Sequence, residues 1–406
     1  MNAALLLLAL ALPVGDTLVV SLTGSYRTVG DAVAAAPAGA TVLVRAGVYR
    51  EPTIRIGRRL TLQGEPGAVL DGEGERQILH VSADSVVIRG LTLRNVGRSY
   101  IDDRAAITIE DASWCEVSDN HIEDAYFGIY LANAGWCVIQ RNVLIAREPR
   151  ETASGNGIHL WYSKEIDVRD NIVRGHRDGI YFEFVEDSRV SDNRAEGNLR
   201  YGLHFMFSDR CSYDNNVFRA NGAGIAVMYT KHVTMTDNLF ERNRGGAAFG
   251  LLLKDITDSE LTGNRFIENS VGIMAEGLNR TRVADNAFVR NGWAVKLMAN
   301  SEDNVFTGNR FDGNTFDVAT NSRQNFSTFE ANWWDRYRGY DLDRDGYGDV
   351  PFRPVRLFSL VVERNAPSLV LLRSIFVTLL DLAELVAPVL TPATLIDERP
   401  LMRRAS

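Results

Sequence analysis

Between Asn120 and Asn332 apolar residues alternate with polar ones over short stretches, break at Asn, Asp or Gly, and then resume. A period of two marks strands with one buried face, and no helical period of 3.6 competes with it. The stretches also recur. Asparagines anchor them at Asn120, Asn142, Asn171, Asn193, Asn216, Asn238, Asn264, Asn286, Asn309 and Asn332, with intervals of 22, 29, 22, 23, 22, 26, 22, 23 and 23 residues. Phenylalanine stands two residues after the anchor at Phe218, Phe240, Phe266, Phe288 and Phe311. A second asparagine follows the anchor by five residues at Asn198, Asn221, Asn243, Asn269, Asn291 and Asn314. Three short strands per unit of about 22 residues predict an all-β fold, a right-handed parallel β-helix of about ten to twelve coils. Leucine-rich repeats have a similar length but need a consensus that is absent here. Coils stacked about 4.8 Å apart place each anchor amide under the next, as an inward ladder that satisfies the turn backbone. The two long intervals predict loops at 147–154 and 242–248.

The flanks extend this plan. Residues 25–49 read as a short helix followed by a strand, a lid for the first coil, and strands follow at 60–64 and 86–95. The solenoid is thus expected to span 16–353 as one domain, with residues 354–406 as a C-terminal extension. From Ser368 to Pro388 the chain is rich in Leu and Val but broken by Arg373, Asp381 and Glu384. That pattern predicts amphipathic helices rather than a membrane span. Their apolar residues, among them Leu372, Phe376, Leu379, Leu380, Leu382 and Leu385, either fold back on the core or dock onto a partner, which includes a membrane-embedded one. Residues 1–15 hold an apolar run closed by Pro13 and Gly15, which reads as a secretory signal, although no Lys or Arg precedes it. An apolar first strand is the alternative.

Composition narrows the function. Lys and Arg number 44 against 52 Asp and Glu, a net charge of −8, which speaks against nucleic acid as a partner. Cys115, Cys137 and Cys211 each fall five residues before an anchor, an inward slot, so they read as core thiols. Cys115 and Cys137 stack on neighbouring coils, where a disulfide is geometrically possible.

Candidate chemistry comes from the pleat. One and three residues after each repeat glycine the chain is apolar (Ile158 and Leu160, Ile180 and Phe182, Leu203 and Phe205, Ile225 and Val227), so the residues at two and four face out. That outward set includes His159, Glu183, His204, Met206, Met228, Met274 and Met298. It holds four of the seven methionines and two of the six histidines. Thioether with imidazole is the ligand set that favours Cu(I); a polarizable protein-docking face is the competing reading. His176 occupies a ladder slot and reads as structural. In YDLDRDGYGD (340–349), Asp341, Asp343 and Asp345 precede Gly346 as in the first half of a calcium loop, with Asp349 as a further ligand. The usual glutamate at the twelfth position is replaced by Phe352, so calcium or magnesium binding stands beside a plain acidic turn that pins the last coil to the C-terminal segment. Carbohydrate binding or polysaccharide modification is the alternative function for an exported β-helix. The only outward acids, Glu183 and Glu276, lie four coils or about 20 Å apart, beyond the roughly 5–9.5 Å of a glycosidase pair. A non-enzymatic role is expected.

Several segments carry a more specific likeness. GNGIHLWYSKEIDVRDN (155–171), YGLHFMFSD (201–209), AGIAVMYT (223–230), NGWAVKLMANS (291–301) and YDLDRDGYGDVPFRPVRLFSLVVE (340–363) resemble the NosD family of nitrous oxide reductase maturation proteins. The likeness runs from about residue 25 to 403 and implies a periplasmic β-helix working with a membrane ABC transporter, its permease and its ATPase. It further implies a copper chaperone as donor, nitrous oxide reductase as recipient, copper or sulfur as cargo, and a C-terminal segment that docks on the permease at the inner membrane. Carried onto this chain, the copper role falls on His204, Met206 and Met228, with His159, Met274, Met298 and Glu183 as further candidates.

Overall fold

The computed structural model describes residues 16–99, 101–245, 248–322, 324–387, 391 and 393–403. The expected signal segment, 1–15, lies outside the described residues. The chain winds as a right-handed parallel β-solenoid whose three faces are sheets of 14, 12 and 13 strands. Each strand pairs in parallel with the equivalent strand one coil away; Ser212–Asp214, for example, lies between Arg189–Ser191 and Thr234–Thr236.

The coil count exceeds the expected ten to twelve. Ten coils carry the anchor asparagines, and four more precede them, with strands Thr17–Val20, Thr41–Val44, Thr61–Gly64 and Val87–Arg89 stacking in turn below Glu116–Ser118. These early coils lack the anchor. Leu91 stands at the ladder position, and its N–H donates to Asn120 Oδ1 at 3.1 Å.

The ladder itself forms as the spacing predicts. Asn238 Oδ1 accepts from the backbone N–H and the amide of Asn216, both at 3.0 Å. Its own amide donates to Tyr213 O at 2.7 Å and to Asn264 Oδ1 at 3.0 Å. A second ladder runs from Asn198 to Asn314 and begins with His176, whose N–H donates to Asn198 Oδ1 at 3.1 Å. Between the ladders Phe218, Phe240, Phe266, Phe288 and Phe311 stack with centroids 5.5, 4.6, 4.9 and 5.0 Å apart. Trp334 closes that stack at 4.1 Å. The repeat glycine is imposed by close coil approach: a Cβ on Gly224 would sit 2.2 Å from Gly250 O.

Both ends are covered, as an open parallel stack requires. At the first coil, α1 (Val29–Ala35) buries Val29, Ala32 and Val33. At the last coil the anchor ladder would end on orphan donors. Asp397, fully buried, returns from the C-terminus and accepts there from the N–H and the amide of Asn332, both at 3.1 Å, and from Trp334 Nε1 at 3.0 Å. Two helices, α2 (Leu357–Arg364) and α3 (Ile375–Val386), cover the sheet of 12 strands at this end through a small core of Phe316, Phe358, Val362 and Val377. Lys296 and Glu363 pair at 2.7 Å, and Arg356 pairs with Asp381. The extension therefore has two apolar faces. Leu372 and Leu380 pack inward, whereas Phe376, Leu379 and Leu382 are exposed with Ile375 and Val386. Leu385 lies on α3, with its side chain outside the description.

Replacing Asp397 by Ala strands three buried donors and is expected to cost about 2–4 kcal/mol, seen as lost hydrogen-exchange protection at Asn332 and Trp334. Asp397→Asn keeps an acceptor in place and is expected to retain most of the protection.

Candidate metal centre

The glycine-based phase places side chains as expected on the sheet of 12 strands. Ile158, Leu160, Ile180, Phe182, Leu203, Phe205, Ile225 and Val227 are fully buried. Their neighbours face outward in two registered columns. The first reads His80, Thr108, Tyr130, His159, Tyr181, His204, Ala226, Leu252, Met274 and Lys296 from coil to coil. The second reads Glu110, Ala132, Trp161, Glu183, Met206, Met228, Lys254 and Glu276.

Glu183, Met206 and Met228 thus stand on three successive coils, about 4.8 Å apart at the backbone, and all are partly exposed. His204 lies two residues before Met206 on the same face. The other candidates are not brought together with this group. His159 is two coils below His204, Met274 three coils above it, and Lys254 and Glu276 separate Met228 from the level of Met298, which follows Leu297, the register partner of Ala275.

His159 is also committed elsewhere. Its ring sits among Phe127, Tyr130 and Tyr181, with centroids 5.2, 4.9 and 4.6 Å away, and its Nδ1 accepts from the Asn156 amide at 3.2 Å. Burial, with help from Arg177, pushes its pKa down to about 3, so the ring is neutral. Burial likewise raises Tyr181 to about 12.

His204 faces outward yet is only 4% exposed. Tyr181 and Tyr201 flank it with centroids at 4.9 and 4.8 Å. Its Nδ1 meets Arg200 Nη2 at 3.0 Å and lies 3.8 Å from Asp178 Oδ2; its Nε2 is buried without a partner. Asp178 is completely buried between Arg177 (3.5 Å) and Arg200 (3.4 Å). Sequence reading passed over Asp178 and Arg200 because they lie just before the repeat glycines, outside the outward columns. The signal was present: Asp178 stands where neighbouring coils carry Phe127, Asn156, Tyr201 and Ala223.

A second unforeseen feature borders the methionines. Tyr162, Phe184, Phe207 and Tyr229 follow the second column directly and stack at 4.6, 5.1 and 5.1 Å with interplanar angles of 19°, 9° and 13°. All four have left-handed backbone, φ 45° to 56°, where other coils carry Asp111, Asn133, Asp255 and Gly277. Aromatic residues are not what such a turn selects. The rings cover one another's faces and present their edges, so they form an apolar rim beside Met206 and Met228 rather than a platform on which a sugar ring stacks.

The acidic loop is compact. Carboxylates of Asp341, Asp343 and Asp345 lie within 4.8 Å of one another, the one such His/Cys/Asp/Glu cluster among the described residues. Asp341 accepts from the N–H groups of Asp345 and Gly346, and Asp349 from Leu342, while Arg399 pairs with Asp345 at 2.6 Å. These bonds tie the loop to the C-terminal segment by protein groups alone; Asp349 stands outside the cluster. Cys115, Cys137 and Cys211 are buried free thiols, the Cys115 N–H pointing at Cys137 Sγ at 3.4 Å.

Residues 142–339 match the family model described as periplasmic copper-binding protein (NosD). Over 367 residues the chain is 32% identical to the probable ABC transporter binding protein NosD of Pseudomonas aeruginosa, covering 86% of this chain and 85% of that one. The chain belongs to the NosD family. The Stutzerimonas stutzeri protein named probable ABC transporter binding protein NosD is 28% identical over 372 residues, covering 85% and 83% of the two chains. Among solved structures, a family 28 exopolygalacturonase of Yersinia enterocolitica superposes with a TM-score of 0.59 at 9% identity, covering 78% of each chain. The Dettilon tailspike protein gives 0.54 at 13% identity, covering 70% of this chain and 62% of that one. These likenesses describe the NosD-family solenoid as a fold.

His176 offers a test of its structural role. It is fully buried, both ring nitrogens lack partners, and burial lowers its pKa from 6.5 to about 4. The folded state holds this proton less tightly than the unfolded chain, so the stability linked to it is complete above pH 6.5. It drains as pH falls toward 4, by about 2 kcal/mol at pH 5. His176→Asn restores the ladder residue and is expected to flatten the fall of the urea midpoint between pH 7 and pH 5.

Proposed function

We propose that this chain is a non-enzymatic periplasmic protein that receives or delivers Cu(I) during assembly of the copper centres of nitrous oxide reductase. In this reading a copper chaperone supplies the ion, and a membrane ABC transporter, permease and ATPase together, holds the chain through α3. The observation that carries the copper assignment is the registration of Met206 with Met228, with His204 on the same face. Two thioethers and one imidazole select Cu(I) over hard cations, and copper is here the cargo rather than a resident cofactor. A few soft ligands on an outer wall suit an ion that must leave again. Family membership supports the reading, since relatives are named as copper-binding and as ABC transporter binding proteins.

Docking through α3 rests on its unpartnered stripe. Ile375, Phe376, Leu379, Leu382 and Val386 are 53% to 79% exposed, more apolar surface than a lone helix leaves to water. No helix among the described residues is long and apolar enough to cross a membrane. The polysaccharide reading loses ground on two counts. The second column adds Glu110 to the two expected outward acids, but Glu110 and Glu183 are three coils apart and Glu183 and Glu276 four, and the aromatic rim offers edges instead of faces. A hard cation at Asp341, Asp343 and Asp345 would add to a loop already tied by hydrogen bonds.

Exchanging His204 and Met206 for Ala together is expected to weaken Cu(I) binding roughly tenfold or more in competition with a chromophoric Cu(I) chelator. Unchanged binding would move the site elsewhere. Phe376→Glu combined with Leu379→Glu is expected to abolish co-purification with the transporter while leaving the Cu(I) affinity as it is.

A further inference from the structure

His204 is held in a state that cannot take a metal through its free nitrogen. The Arg200 guanidinium has only donors to offer. The nitrogen it meets at 3.0 Å, Nδ1, must therefore be the acceptor. A neutral imidazole carries one proton, which is then on Nε2, the buried atom without a partner. A metal needs the lone pair that this proton occupies. The two ring nitrogens point in widely different directions, so with Nδ1 turned to the Arg200–Asp178 end of the strand, Nε2 is turned away from it. Met206 lies in that other direction along the strand.

The partner for the opposite tautomer is already in place. Asp178 Oδ2 is fully buried, receives no hydrogen bond, and lies 3.8 Å from His204 Nδ1. Its second oxygen accepts from the Tyr201 N–H at 3.3 Å, and Arg177 stands 3.5 Å from Oδ2. The carboxylate is thus fixed and charge-balanced without Arg200. Leaving costs Arg200 its ion pair with Asp178, whose Oδ1 lies 3.4 Å from the buried Nε, but no hydrogen bond at that atom; its side chain is 36% exposed and lies against the Tyr201 ring at 4.6 Å.

We propose that Arg200 is a latch on the copper site, holding His204 as the Nε2–H tautomer, and that Asp178 takes over Nδ1 when Arg200 swings outward. In that exchange one proton leaves Nε2 for solvent and one arrives at Nδ1, so the ring stays neutral. Nε2 then carries a lone pair for Cu(I) in place of its proton, and Nδ1–H donates to Asp178, the arrangement in which a carboxylate orients a metal-binding imidazole. Arg200 and Asp178 are positioning residues. The inference rests on His204 being a ligand, as proposed above.

The test reads the tautomer directly. In copper-free, 15N-histidine-labelled protein, long-range 15N–1H correlation is expected to show His204 protonated on Nε2, and Arg200→Ala is expected to move the proton to Nδ1. Against the same chromophoric chelator, Arg200→Ala is expected to bind Cu(I) roughly tenfold more tightly, Asp178→Asn roughly tenfold more weakly, and Arg200→Lys like the parent. The wild-type spectrum needs no variant to fold, and Nδ1–H there overturns the latch. So does an unchanged affinity in Arg200→Ala when the His204, Met206 double variant has lost binding. If that double variant binds like the parent, the site assignment fails, and the latch with it.

Discussion

Registered stacking of parallel coils is the constraint on which everything else in this molecule depends. Each coil hydrogen-bonds to the next about 4.8 Å away, so every position is forced into contact with its own equivalents. A position therefore has to hold a residue that tolerates itself as a neighbour. Asparagine does so by donating from its amide to the oxygen of the next, phenylalanine by stacking face to face, and glycine by leaving room for a carbonyl oxygen. Interruptions are informative for the same reason. His176 enters a ladder of asparagines through its backbone N–H alone, and Asp397 ends the other ladder because a carboxylate accepts but does not donate.

The same rule that builds the interior writes the exterior. Outward side chains are registered as strictly as inward ones, so Met206 and Met228 are neighbours by construction, and the four aromatic turn residues form a continuous rim. Left-handed backbone costs a residue with a Cβ roughly 1–2 kcal/mol, which ring stacking worth about 0.5–1.5 kcal/mol per pair only offsets. The rim is thus an addition to the fold rather than a need of it.

How far the sequence could be read follows from this logic. Alternation and spacing gave away the coils from Asn120 onward and the phase that separates Leu203 from His204, because both are properties of one repeat read against the next. The four coils before Asn120 were undercounted since Leu91 and its predecessors carry no amide to mark the register. The environment of His204 was hidden for a different reason. Arg200, Asp178 and Tyr181 reach it from the same coil and from the one below, and sequence shows which residues share a column but not which long side chain folds across two. The C-terminal extension posed an either-or that the fold dissolves: Leu372 and Leu380 serve the core while Phe376, Leu379 and Leu382 do not.

Rigidity has a consequence for any coupling between the wall and the C-terminal helices. Four coils separate Met228 from Phe316–Ala319, the strand that α2 covers, a span of about 20 Å of continuous sheet. Packed, hydrogen-bonded elements deform little, so a partner moving α3 would carry the wall with it as one body rather than reshape the site. Opening and closing must then come from groups that move independently of the coils. Arg200 is such a group, held by one hydrogen bond to His204 and an ion pair with Asp178 at 3.4 Å, with its outer side on the ring of Tyr201.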